Sequence, residues 1–198
     1  MTLVKDFTSR LLAGVALALL APAPAFLPAP ASNLRGKETP MLQLKSSAFQ
    51  AEGNIPSRFT CEGSDTSPEL AWSGVPEGTK TFALIVHDPD APRAGGWTHW
   101  VIFNIPVTVN HIAENAPKDA RLPGGGVQGL NDGGRQGYMG PCPPSGTHRY
   151  YFRLFALDTN LGLQETAKKA DLEKAMQGHV VAQAELMGRY KKGSSKAA

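Results

Sequence analysis

Between Leu122 and Gly146 the chain carries nine glycines and several prolines within twenty-five residues. No regular helix or strand of ordinary length survives that density of breakers. A loop this long inside a compact domain is usually functional or disordered. This one runs directly into the aromatic segment Arg149–Leu157, so it is tethered at that end. The excess is chain-wide, since 21 Gly and 16 Pro make up about a fifth of the residues against an average near 12%. The sequence therefore predicts a turn-rich β architecture rather than a helical bundle.

The strands are legible between the breakers. Thr81–His87 is apolar and β-branched and ends at Asp88-Pro89. Trp97–Ile105 is a near-continuous apolar run ending at Pro106, and Glu69–Ser73 is a shorter one closed by Gly74-Val75-Pro76. Arg149–Leu157 is aromatic and apolar throughout. Runs of this kind, bounded by Gly and Pro, read as strands buried on both faces. After Asp158 the composition turns helical, and helices are expected over Asp171–Met176 and His179–Tyr190. In the second, Val180, Ala184 and Met187 fall on one helical face. No internal repeat is visible. Residues 41–190 read as one β-rich domain, 32–40 as a loose lead-in and 191–198 as a disordered basic tail.

The amino terminus reads as an export signal. Lys5 and Arg10 precede the apolar run Leu11–Ala21, and two A-x-A sites follow, Ala23-Pro24-Ala25 and Ala29-Pro30-Ala31. That order defines a secretory signal peptide, and cleavage after Ala31 is favoured, which makes 1–31 the signal. Four prolines after Ala21 interrupt the roughly 20 apolar residues that a membrane span needs. No stable span is expected after cleavage, and the protein is expected in the periplasm or outside the cell. There an even pair of cysteines, Cys61 and Cys142, suggests one disulfide. The alternative is two separate buried thiols. A formal charge of +3, or +2 without residues 1–31, is too small to point to nucleic acid.

Titratable residues collect at the strand ends, in His87-Asp88-Pro89-Asp90-Ala91-Pro92, Gly95-Gly96-Trp97-Thr98-His99-Trp100 and Gly140–Tyr150. The two prolines of the first segment stiffen a loop that carries two aspartates. In these three segments the chain resembles the phosphatidylethanolamine-binding protein family, also called the Raf kinase inhibitor protein family. It is most similar to the bacterial Raf kinase inhibitor-like branch. The resemblance rests on Asp88-Pro89-Asp90-Ala91-Pro92, Trp97-x-His99, and Gly140-Pro141-Cys142-Pro143-Pro144-x-Gly146 with His148-Arg149-Tyr150. Thr60-Cys61-Glu62-Gly63, Ser67-Pro68-x-Leu70-x-Trp72 and Gly137-Tyr138 support it. It spans about Met41 to Tyr190.

The resemblance implies a mainly β fold, a sandwich of two antiparallel sheets with short helices that include a C-terminal helical segment. It also implies a small anion pocket, for phosphate or a phosphorylated head group, at Asp88, Pro92, Trp97, His99, Gly140, Pro143, His148 and Tyr150. Asp90, Pro141 and Cys142 lie inside the same motifs and are ligand-binding candidates with them. The residue chemistry fits independently. His99, His148 and Tyr150 offer donors, and backbone N–H groups around Gly140–Cys142 offer an anion nest. Each aspartate fits as the acceptor that fixes a histidine tautomer. His87 is expected to point away from Asp88, Trp97 to form a pocket wall, and Trp72 and Trp100 to sit in the core.

The favoured function is a non-enzymatic, exported binding protein for a small anionic ligand, with no metal or cofactor. The alternative is a protein-interaction or inhibitor module that uses the pocket rim and the 122–146 loop against an unidentified protein target. A metal-dependent hydrolase is a minor alternative. No G-x-S-x-G, G-K-[ST] or strand–G-x-G-x-x-G–helix unit is present.

Overall fold

The structure, a computed structural model, describes residues 41–193. The expected signal peptide, the lead-in and most of the basic tail lie outside those residues. Among the described residues eight strands, one α-helix and a 3-10 turn at Ser57–Phe59 make up the fold. In chain order the strands are β1 (Gln43–Lys45), β2 (Leu70–Ser73), β3 (Thr81–Asp88), β4 (Trp97–Pro106), β5 (His111–Ile112), β6 (Val127–Gln128), β7 (Thr147–Leu157) and β8 (Val180–Lys191). The helix α1 (Lys169–Ala175) precedes β8. A three-stranded sheet runs β1-β2-β5 and a five-stranded sheet runs β6-β4-β3-β7-β8. All named strand pairs are antiparallel.

The core lies between the two sheets. Phe82, Leu84 and Val86 of β3, Trp100 and Ile102 of β4, and Phe152 and Leu154 of β7 meet Leu44, Leu70 and Trp72 of the small sheet. The Trp72 ring sits edge-on to Phe82 at 5.4 Å. The alternate residues Ala83, Ile85, Val101 and Phe103 face the other way and pack under Leu172 and Met176. This is why β3 reads as an unbroken apolar run: both of its faces are covered.

The C-terminal segment corrects the sequence reading. A helix does form near Asp171, over Lys169–Ala175, and the Asp171 carboxylate accepts the Lys168 backbone N–H at 2.9 Å. The second expected helix does not exist. Val180–Lys191 is the long edge strand β8, paired with β7 along its whole length. Ala182, Ala184, Leu186, Gly188 and Tyr190 turn inward at a spacing of two. Helical propensity of Ala, Gln, Glu and Met yields here to the ladder that β7 offers. Position 188 takes glycine because a Cβ there would lie 2.6 Å from Ile55 Cγ1 and 2.7 Å from Phe49 Cε2. Lys191 is the last residue of that strand, so the expected tail begins inside an ordered element.

The glycine-rich segment is irregular, apart from the two-residue strand β6 that pairs with β4. Buried amides hold it in place of a backbone ladder. Gln128 accepts from Trp100 Nε1 at 2.6 Å and donates to the Pro117 and Asp119 carbonyls. Asn131 donates to the Gly137 carbonyl and accepts the N–H groups of Gly133 and Arg135.

Candidate functional site

Antiparallel pairing decides where the polar motifs meet. The C-terminal end of β3 lies between the N-terminal ends of β4 and β7. Asp88, Trp97, His99, His148 and Tyr150 therefore gather at one end of the large sheet. His148 and Tyr150 continue the inward face of β7 beyond Phe152 and Leu154, so the cavity opens where the apolar core stops. Its volume is about 330 Å³, and it is lined by Asp88, Trp97, His99, Gly140, Cys142, Pro143, His148 and Tyr150, with Ala91, Pro92, Arg93, Met139 and Pro144 around them. That is the lower end of the range for small-ligand pockets.

The floor is a fixed hydrogen-bonded assembly. His148 Nδ1 donates to Asp88 Oδ2 at 2.7 Å, and both side chains are buried. The second carboxylate oxygen accepts the Asp90 N–H at 2.8 Å. His99 Nδ1 donates to the Met139 carbonyl at 2.7 Å, and its ring stands edge-on to Tyr150 at 5.2 Å. A carbonyl only accepts, so His99 carries its proton on Nδ1 and its remaining polar atom is Nε2. Burial pushes the His99 pKa down, against a smaller upward pull from the Met139 carbonyl and the Asp88 charge. Burial first, and then the Asp88 charge, push the Tyr150 phenol up. Its hydroxyl lies near that carboxylate but meets no partner in hydrogen-bond geometry.

Of the residues predicted to line the pocket, Asp90 and Pro141 sit outside its lining. Asp90 is the partner of Arg149. It accepts from Nη2 at 2.6 Å and from Nε and the backbone N–H at 2.9 Å each. That guanidinium holds its carboxyl at about 2. The pair stiffens the hairpin loop from outside rather than fixing a histidine. The Pro141 carbonyl accepts the Cys61 N–H at 3.1 Å. The expected nest is also altered, because the Gly140 N–H is already given to Asp65 Oδ1 at 2.6 Å. Gly140 is required at that spot, since a Cβ would lie 2.6 Å from the Phe59 carbonyl oxygen.

His87 does not line the cavity. Its ring packs beside Gly96 and its Nδ1 is buried without a partner. Trp97 forms a wall and Trp100 is fully buried. Arg93 was not singled out from the sequence. It sits over the Trp97 ring at 5.1 Å and brings a cation to the mouth; a basic residue between two pocket motifs was the available signal. The Met139 carbonyl had none, because any residue type supplies it.

Cys61 and Cys142 are joined by a disulfide with 5.4 Å between Cα atoms. Cys142 lines the cavity, so the bridge ties the pocket wall to the turn after Ser57–Phe59. Among the described residues no group of three or more His, Cys, Asp or Glu side chains is placed to hold a metal ion. No described helix is long and apolar enough to cross a membrane.

An antiparallel sandwich whose polar side chains converge on a pocket at one sheet end defines a class of small binding domains. Residues 45–191 match the family model of phosphatidylethanolamine-binding proteins, and the chain belongs to that family. A protein of Methanothermobacter thermautotrophicus described as a UPF0098 protein is 56% identical over 152 residues, covering 77% of this chain and all of the relative. Solved structures share the fold, among them the following two. A phosphatidylethanolamine-binding protein homologue from Chlamydia trachomatis is 43% identical with a TM-score of 0.72, covering 78% of this chain and 99% of the other. YbcL of E. coli, described as a member of the mammalian family, is 38% identical with a TM-score of 0.73, covering 77% and 99%.

Proposed function

We propose that the chain is an exported, non-enzymatic binding protein whose pocket holds a small oxyanion, phosphate or a phosphorylated head group. The observation that carries this reading is the buried Asp88–His148 pair at the floor of a cavity shared with His99 and an unpartnered Tyr150 hydroxyl. With a neutral imidazole that pair is net negative. One proton on His148 neutralises it and makes Nε2 a donor. Tyr150 supplies a second donor and Arg93 a cation at the mouth. A charge-assisted contact of this kind is short and strong against an oxyanion. The Cys61–Cys142 bridge suits an oxidising compartment and supports export.

The sign of the pH effect follows. With an imidazolium as the donor to the anion, binding takes up a proton and weakens as pH rises. Phosphoethanolamine titrated into the oxidised protein is expected to bind at least about tenfold more tightly near pH 5.5 than near pH 8. Equal affinity at the two pH values would remove the charged imidazole from the mechanism.

A further inference from the structure

Both pocket histidines spend Nδ1–H inside the protein, His99 on the Met139 carbonyl and His148 on Asp88. Each therefore leaves Nε2 for the cavity that both rings line, and a neutral imidazole presents a lone pair there. His148 has the Asp88 carboxylate behind it. His99 has only a carbonyl. The titratable and charged groups around His99 are Asp88 and His87 on β3, Asp132 in the glycine-rich segment, Tyr150 and His148 on β7, and Arg93 at the mouth. None of the carboxylates among them is hydrogen-bonded to His99. An oxyanion whose oxygens are all bare acceptors would press an oxygen lone pair against this nitrogen. An oxyanion with one hydroxyl can donate to it.

We propose that the pocket selects oxyanions that bring a proton of their own, hydrogenphosphate and phosphomonoesters, and rejects isosteric acceptor-only anions such as sulfate and phosphodiesters. The P–OH group donates to His99 Nε2, while the charged oxygens accept from His148 Nε2 and the Tyr150 hydroxyl. This rests on the oxyanion reading above and names its substrate class. A polar group left facing an unsuitable partner in a buried site is penalised far more than a good contact gains. Sites built on such matching reject the mismatched analogue strongly.

Calorimetric titration of the oxidised full chain with inorganic phosphate and with sulfate provides the test. Near pH 7.5 the two are comparable dianions that differ chiefly in the proton, and phosphate is expected to bind at least about tenfold more tightly. Near pH 6.5, where a monoester is close to its second pKa of about 6, phosphoethanolamine is expected to exceed glycerophosphoethanolamine by a similar factor. That second comparison separates a free phosphorylated metabolite from a lipid head group as the source. Equal binding of phosphate and sulfate would overturn the inference and leave the oxyanion pocket standing. Failure of all four probes to bind would overturn both. His99→Asn keeps an amide donor for the Met139 carbonyl and deletes Nε2, so its phosphate-to-sulfate ratio is expected to fall to near one. A preference that persists in that variant would overturn the assignment to His99.

Discussion

Reducing the Cys61–Cys142 bridge lowers the unfolding midpoint by roughly 8–16 °C. The bridge closes a segment of 81 residues. In the chain-entropy description such a closure stabilises the fold by about 4 kcal/mol, acting through the unfolded chain. A domain of this size loses about 2–4 °C per kcal/mol. Other contacts hold the same two segments together. Tyr138 donates to the Phe59 carbonyl at 3.0 Å, Asp65 receives the Gly140 N–H, and the Cys61 N–H donates to the Pro141 carbonyl at 3.1 Å. These survive reduction, so the pocket stays formed and affinity for phosphoethanolamine falls by less than about tenfold. Thermal unfolding with and without reductant, alongside Cys61→Ser/Cys142→Ser, checks both halves. An unchanged midpoint would show that the bridge is absent or energetically idle.

His148→Ala removes anion binding, with at least a hundredfold loss of affinity for phosphoethanolamine. The loss has two causes with the same sign. The imidazole hydrogen-bonded to Asp88 disappears from the cavity, and the buried carboxylate is left with the Asp90 N–H but no side-chain donor on its other oxygen. An unpaired buried group costs about 1–3 kcal/mol, so the midpoint falls by roughly 3–10 °C as well. His148→Asn separates the two causes. Its amide can donate to Asp88 but cannot take a proton, so it recovers stability without recovering the pH-dependent affinity. If His148→Asn bound like the wild type, proton uptake at this position would have no part in binding.

The parts of the fold that read well from sequence are those where burial is two-sided. β3 and β4 are apolar along most of their length because the core covers one face and α1 with its neighbours covers much of the other, whereas β7 is buried on one face and carries Arg149 and Arg153 on its other. The short strands β1, β5 and β6 have two or three residues each and carry no periodic signal. β8 was misread because Val180, Ala184 and Met187 also fit a helical face. The inward set Ala182, Ala184, Leu186, Gly188, Tyr190 includes three small residues, which weaken the spacing of two. Pocket residues were legible because Pro and Gly concentrate polar groups at strand ends. What those groups do was less so. Asp88 and Asp90 are two residues apart in one motif, yet one holds His148 inside and the other holds Arg149 outside. That division depends on which face of the hairpin each side chain takes. The use of the Gly140 N–H by Asp65 depends on a residue 75 positions away.

The most direct measurement is thermal unfolding of the oxidised wild-type chain and His148→Ala, each with and without millimolar phosphoethanolamine. Ligand at a hundred times its dissociation constant adds about 2.7 kcal/mol, a rise of roughly 5–10 °C for this size of domain. A rise of that order in the wild type, absent from His148→Ala, is the expected result. A folded wild-type protein whose midpoint does not move would contradict the oxyanion pocket and leave only the family fold.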